Sequence, residues 1–179
     1  MPGTDVSAVI MVGNRVMSVG WNFPDTLVSG GFCGSALGST TGGAAVGPAV
    51  GQCRHRVEVG DAFEVMQRLV DRRRRFDLVI VDPPSFASKQ RDRDGALAAY
   101  ERLAELGVAL TETGGLFVQS SCSSRITSEE FRSVVLSAGG TSSAEVVTRT
   151  ETAHGIDHPI GFPQGAYLKT LFAEVRRTR

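Results

Sequence analysis

The segment Phe76-Asp77-Leu78-Val79-Ile80-Val81-Asp82-Pro83-Pro84-Ser85-Phe86 decides the fold of this chain of 179 residues. Leu78 to Val81 form a short, uninterrupted apolar run rich in β-branched residues, which is typical of a strand buried on both faces of a parallel sheet. The run ends at Asp82, and two prolines follow that cannot continue a central strand. An acidic residue at the carboxyl end of such a strand lies where open α/β sheets bind ligands.

A second strand pattern lies at residues 115–119 and leads into the serine-rich segment 120–124, which has Cys122 at its centre. Between the two strand patterns, apolar residues recur at spacings of three and four, which indicates one face of a helix. We predict that Gly114-Gly115 closes this helix. A strand-helix-strand unit would place Cys122 at the same sheet edge as Asp82. The apolar positions of the helix are Ala96, Tyr100, Leu103, Leu106 and Leu110.

Three pieces of the chain carry a resemblance to a known family. They are the segment Asp82 to Ala87 with the basic residues Lys89, Arg91 and Arg93 after it, Ser121-Cys122-Ser123, and Asp157-His158-Pro159 with Gly165 to Lys169. In this order and spacing they resemble the class I S-adenosylmethionine (SAM) dependent methyltransferases that form 5-methylcytosine in bacterial 23S ribosomal RNA. The resemblance covers about residues 54–175.

The resemblance implies an α/β fold with a Rossmann-like, mostly parallel sheet that ends in an antiparallel strand pair. It implies SAM as the cofactor and RNA, in particular 23S ribosomal RNA, as the partner. Cys122 would be the nucleophile that adds to C6 of cytosine. Asp82 would bind the amine and N3 edge of a base that has left its stack. For an isolated cysteine, a small buried apolar side chain is the competing interpretation.

Further site residues follow from the same resemblance. Asp61, Ala62, Asp82 and Pro83 would contact the cofactor, although Asp61 also suits a plain helix N-cap. Gly30 and Gly31 faintly resemble the family's glycine-rich cofactor turn. On the RNA side, we expect Pro84 to fix the loop and Phe86 to pack beside the base. Lys89 and Arg91 would contact phosphate, and His158 would belong to a loop that walls the pocket.

The first 53 residues do not match the family well, and they carry about half of the glycines. Residues 1–53 are a diverged cofactor loop, a flexible linker, or the beginning of a truncated or frame-shifted copy, and we favour the third. Ala8 to Val12 and Arg15 to Val19 suit a small hairpin around Gly13-Asn14. Residues 54–179 would form the catalytic domain, in a sheet that is incomplete at its N-terminal end unless the first third supplies strands.

Composition limits the function classes. There are 19 Lys and Arg against 19 Asp and Glu, so RNA binding must come from local basic patches. Three cysteines and three histidines show no metal-ligand spacing, and unclustered cysteines suit a reducing cytoplasm. No stretch suggests a membrane span or a signal peptide. The sequence leaves the oligomeric state open.

Three other functions stay open. The first is an RNA methyltransferase that acts on nitrogen and needs only the Asp82-Pro83-Pro84 motif. The second is an inactive or truncated methyltransferase remnant. The third, which we favour least, is a cysteine hydrolase that uses Cys122, His158 and Asp157, because no nucleophile-elbow pattern accompanies these residues.

Overall fold

A computed structural model describes residues 5–12, 15–22, 54–87, 90–141, 143–155, 159–162 and 165–177, with only the backbone for 5–12, 15–22, 54–57, 59 and 90. These residues form a mixed sheet with helices packed against it. In chain order the elements are β1 (Asp5–Val12), β2 (Arg15–Asn22), β3 (Arg54–Val59), α1 (Ala62–Asp71), β4 (Phe76–Asp82), a short 3-10 helix (Gln90–Asp92), α2 (Arg93–Leu110), β5 (Thr111–Ser121), α3 (Ser128–Thr141), β6 (Glu145–Thr152) and β7 (Lys169–Arg176).

The seven strands lie in the order β3-β2-β1-β4-β5-β7-β6. The central pairs β1–β4 and β4–β5 are parallel, and the other neighbouring strands are antiparallel. Only β2 and β7 run against the direction of the remaining five strands. The predicted α/β fold is therefore confirmed, including the antiparallel strands β6 and β7 at one edge.

The N-terminal hairpin supplies the strand that β4 needs as its second neighbour. β1 and β2 pair along their whole length, which confirms the predicted hairpin. Each strand is longer than predicted at the end away from the turn. β1 lies parallel to β4, with Val12 opposite Asp82. Because β2 turns back, its last residue Asn22 and the first residue of β3, Arg54, both lie at the sheet edge farthest from Asp82.

The three helices pack on one face of the sheet and share one apolar core with it. Val79 and Val81 of β4 and Phe117 of β5 are fully buried in this core, where they meet side chains of α1, α2 and α3. Strand side chains alternate between faces, so Leu78 and Ile80 point away from the helices and are only half-buried. Within the described residues, no helix is both long and apolar enough to cross a membrane.

The end of α2 differs from the prediction that Gly114-Gly115 closes it. The helix ends at Leu110, and β5 begins directly at Thr111. The Thr111 hydroxyl donates a hydrogen bond to the Gly107 carbonyl (2.7 Å), and the Arg177 guanidinium donates to the carbonyls of Val108 and Thr111 (2.6 Å each). These side chains satisfy the free carbonyls at the helix end, so no glycine cap is needed.

Thr127 caps α3, and the segment Thr127-Ser128-Glu129-Glu130 has the Thr-x-x-Glu pattern of a capping box. Its hydroxyl accepts a hydrogen bond from the Glu130 amide (3.2 Å), while the Glu130 carboxylate accepts one from the Thr127 amide (2.9 Å). This reciprocal pair is a capping box. The cap fixes the start of α3 just after the loop that carries Cys122.

Two glycines of α2 provide a test of the packing between α2 and β5. A methyl group at Gly107 would overlap the Phe117 ring, whereas one at Gly95 would meet no atom within 4 Å. We expect Gly107→Ala to lower the free energy of unfolding by about 1–3 kcal/mol, as overpacking does. We expect Gly95→Ala to raise it by about 0.5–1 kcal/mol, because alanine favours helix. Urea unfolding of both variants measures these changes, and a stabilised Gly107→Ala would contradict the packing described.

Candidate active site

Asp82 and Cys122 lie at the same edge of the sheet. Asp82 is the last residue of β4, and Cys122 directly follows β5, the neighbouring parallel strand. The phenol of Tyr100, on α2, lies near both of them. Burial is the main cause that raises the Tyr100 pKa, and negative charge at Cys122 and at Asp82 raises it further. The predicted juxtaposition of a thiol and a carboxyl group is therefore consistent with the structure.

A buried polar network holds the loop that carries Cys122. The Ser121 hydroxyl donates a hydrogen bond to the Tyr100 hydroxyl (2.9 Å), and it accepts one from the Ser123 amide (3.3 Å). Ser121, Ser123 and Tyr100 are all fully buried. Cys122 itself is a free, half-buried thiol between these two serines. Its surroundings are thus more polar than those of a cysteine that only fills an apolar core.

Aromatic side chains anchor the loop that follows Asp82. The Phe86 ring packs edge-on against Tyr100, with 5.2 Å between centroids, and lies 6.4 Å from the Phe63 ring. A backbone hydrogen bond from Phe86 also reaches the Tyr100 phenol. Pro83 is buried and Pro84 is exposed. The described contacts therefore make Phe86 an anchor of this loop, and Pro84 lies on its open side.

The Asp82 side chain is exposed, yet its environment is less aqueous than that of an ordinary surface carboxylate. Desolvation by the surrounding protein raises the pKa of Asp82 above its usual value of 3.8. The protonated form, which can donate a hydrogen bond as well as accept one, is therefore favoured more than at an ordinary surface aspartate.

Lys169 is a site residue that the sequence interpretation did not single out. It opens β7 opposite Ser121, and only 8% of it is exposed. Its ammonium donates hydrogen bonds to the carbonyls of Ser123 (2.7 Å) and Tyr167 (3.0 Å). The sequence does carry one signal that Lys169 is buried. It begins the row of inward-facing side chains on β7, which continues with Leu171, Ala173 and Val175.

Asp61 caps α1, as the competing interpretation of this residue predicts. Its carboxylate accepts a hydrogen bond from the Glu64 amide (3.1 Å), and its side chain is exposed. It follows β3, which ends at the same sheet edge as β1 and β4, while Ala62 beside it is buried. An exposed acid at this edge is still available to a ligand.

The predicted RNA contacts are only partly described. Arg91 is exposed, and its guanidinium is 3.7 Å from the Asp92 carboxylate, a surface ion pair of small energetic weight. Lys89, His158, Gly30 and Gly31 lie outside the described residues, and so does Asp157. The connection between β6 and β7 exposes Ile160, Phe162 and Tyr167 to solvent. Across the described part of the chain, no group of three or more His, Cys, Asp or Glu side chains could hold a metal ion.

No family model matches the chain, but it is similar in sequence to known proteins. It is 36% identical over 121 residues, 68% of the chain, to a ribosomal RNA large subunit methyltransferase from Deinococcus radiodurans. It is 34% identical over 117 residues, 64% of the chain, to ribosomal RNA large subunit methyltransferase I from Shewanella frigidimarina. The chain spans 30% of the length of each of these relatives.

Solved structures show the same fold. A protein from Streptococcus mutans described as a SAM-dependent methyltransferase superposes with a TM-score of 0.52 at 21% identity, over 65% of this chain and 30% of that one. A methyltransferase solved in complex with SAH gives a TM-score of 0.53 at 20% identity, with the same coverage.

Asp82 provides a pH-dependent test of the site. Because its pKa is raised in the folded state, the ionised carboxyl disfavours folding above that pKa, and the cost vanishes once pH falls below the unfolded value of 3.8. We expect Asp82→Asn to melt at the same or a higher temperature than the unchanged protein at pH 7, with the difference lost near about pH 3.5. Circular dichroism measures both melts, and Asp94→Asn, at a fully solvated acid of α2, is the control. A clearly lower melting temperature of Asp82→Asn at pH 7 would refute this account.

Proposed function

Since the chain is homologous over two thirds of its length to large-subunit ribosomal RNA methyltransferases, we propose that it is the methyltransferase part of such an enzyme. Its cofactor is SAM, its partner is 23S ribosomal RNA and its product is 5-methylcytosine. The observation that carries this proposal is the meeting of Asp82 and Cys122 at one sheet edge above Tyr100. A reducing cytoplasm would keep Cys122 as a free thiol.

The described residues fit one side of a SAM site. Asp61 and Ala62 at the end of β3, with Asp82 and Pro83 at the end of β4, form the carboxyl edge where such sheets bind their ligands. The exposed Asp61 carboxylate suits the amine of an adenine, and it can keep its capping bond with its second oxygen. When bound, SAM would supply a methyl group on a sulfonium, an electrophile that C5 of cytosine can attack only once it has become nucleophilic.

Cys122 turns C5 of the target cytosine into a nucleophile. C5 of cytosine is a poor nucleophile, but addition of the Cys122 thiolate to C6 places electron density on C5. As C5 takes the methyl group, the bond between the methyl carbon and the sulfonium would break and S-adenosylhomocysteine would leave. C5 then loses its proton to solvent. The C6–S bond then breaks, which restores the ring and the thiolate. The Ser121 hydroxyl, which bonds to the Tyr100 hydroxyl and the Ser123 amide, holds the backbone on either side of this thiol.

Asp82 binds the Watson–Crick edge of the same cytosine. Its carboxyl group accepts from the exocyclic amine, and in its protonated form it donates to N3, for which a raised pKa is favourable. This hydrogen bond withdraws electron density from the ring and promotes addition of the thiolate. Pro84 restricts the backbone of the loop after Asp82 on its solvent-exposed side. The Phe86 ring packs against Tyr100 and so anchors this loop.

The target base must leave its stack to reach this edge. The exposed Phe162 and Tyr167 in the connection between β6 and β7 offer faces on which unpaired bases stack. Arg91 and Lys89 supply positive charge for the backbone phosphates. His158, for which the family resemblance implies a place in the pocket wall, lies outside the described residues.

Replacement of the thiol tests the mechanism. We expect Cys122→Ser to lower methyl transfer to 23S ribosomal RNA more than about a hundredfold, because serine is a far weaker nucleophile at neutral pH. Transfer of labelled methyl from SAM, followed by mass spectrometry of the nucleosides, measures both the rate and the product. Cys53→Ser is the matched control and should keep the activity. A fully active Cys122→Ser variant, or a product methylated on nitrogen, would overturn the thiol mechanism.

A second candidate is a remnant that does not bind SAM, and the N-terminal hairpin favours it. In a Rossmann-like cofactor domain the first strand leads into a glycine-rich turn and then a helix. Here β1 is followed by the antiparallel strand β2. Asn22 and Arg54, which flank the glycine-rich residues 23–53, both lie at the sheet edge farthest from Asp82.

Calorimetric titration with SAM and with S-adenosylhomocysteine separates the two candidates. Under the proposed function, both bind with micromolar dissociation constants, and Asp61→Ala weakens binding of the adenosyl group. Glu64→Ala, which leaves the Asp61 side chain in place on the same helix turn, is the control. A folded chain that binds neither compound would support the remnant and contradict the proposed function.

A further inference from the structure

A buried lysine, Lys169, lies beside the proposed nucleophile. Lys169 is 8% exposed, and both of its hydrogen bonds go to neutral backbone carbonyls, those of Ser123 and Tyr167. Across the described residues, no carboxylate forms an ion pair with its ammonium. Lysine is almost never buried in this way unless an opposite charge accompanies it, because loss of hydration disfavours the charged form.

Burial of Lys169 also lowers its pKa. Desolvation lowers its pKa from 10.5, while a thiolate at Cys122 raises it again. The ammonium therefore reduces stability at neutral pH, and this penalty disappears as pH rises through the lowered pKa towards 10.5. A residue that costs stability and is hydrogen-bonded to the residue after Cys122 is more useful to the chemistry than to the fold.

We propose that Lys169 is a positioning residue for Cys122: its ammonium stabilises the thiolate and, through the Ser123 carbonyl, holds the cysteine loop against β7. This inference rests on the proposed function, since it assigns Lys169 a part in the same thiol chemistry. Two effects combine in one side chain. The positive charge favours ionisation of the thiol, and the hydrogen bond fixes the backbone one residue beyond it.

Other charges near the thiol cannot replace Lys169 in this role. Tyr100 approaches Cys122 from α2 and Asp82 approaches from the end of β4, but both become negative on ionisation and so oppose a thiolate. Arg132 and Glu151 share a cavity of about 210 Å³ with Lys169, and they are paired with each other at 3.2 Å. Lys169 is thus the cation of the described site that interacts with Cys122.

The reactivity of Cys122 towards iodoacetamide tests the proposal without RNA or SAM. Peptide mass spectrometry on the full chain follows alkylation of this cysteine alone, between about pH 6 and 9. We expect Lys169→Met to slow alkylation at neutral pH about tenfold and to move its pH midpoint upward by about one unit. Lys169→Arg keeps the charge and should restore most of the rate. Arg176→Met removes one charge from the exposed far end of the same strand and should react like the unchanged protein.

Either of two results would overturn the proposal. One is a Lys169→Met variant with the rate and pH midpoint of the unchanged chain, and the other is a Lys169→Arg variant as slow as Lys169→Met. If Lys169→Met does not fold by circular dichroism, Lys169→Gln, which can still donate to a carbonyl, takes its place. The alkylation result is independent of methyl transfer, so an inactive chain with the expected alkylation pattern would refute the proposed function and leave the role of Lys169 intact.

Discussion

The hydroxyl group of Tyr100 is the point on which the candidate site depends. It lies in the middle of α2, fully buried, and it binds both the Ser121 side chain and the backbone of Phe86. One polar atom thereby joins the end of β5, before Cys122, to the loop after Asp82. A buried hydroxyl is expensive unless it is hydrogen-bonded, so these partners fix the helix, the two strand ends and their spacing together.

The two sides of the site differ in how they are built. On the thiol side, hydrogen bonds among Ser121, Ser123 and Lys169 use buried donors and acceptors, and a loop held in this way loses little entropy when a base arrives. On the cofactor side, Asp61 and Asp82 are exposed, and within the described part of the chain the bond from the Glu64 amide to Asp61 is the side-chain hydrogen bond of these two acids. Preorganisation is thus concentrated where a covalent bond would form.

Much of this arrangement could be predicted from the sequence, because the signals were local. The apolar run before Asp82, the helical spacing around Tyr100 and the capping box at Thr127 each reflect contacts within a few residues. Lys169 was missed because its importance arises from a contact with Ser123, 46 residues away, which no local pattern records. The end of α2 was misplaced for a similar reason, since Arg177 completes it from the far end of β7.

A sheet with helices on one face has a consequence for the energetics of the whole chain. On the opposite face, Leu78, Ile80, Leu116 and Phe172 form adjacent rows and remain half-buried. Each Å² of this apolar surface that stays in contact with water forgoes about 25 cal/mol of possible stabilisation. Any layer that covers these four side chains would therefore raise the melting temperature, and it would do so from the face opposite the helices.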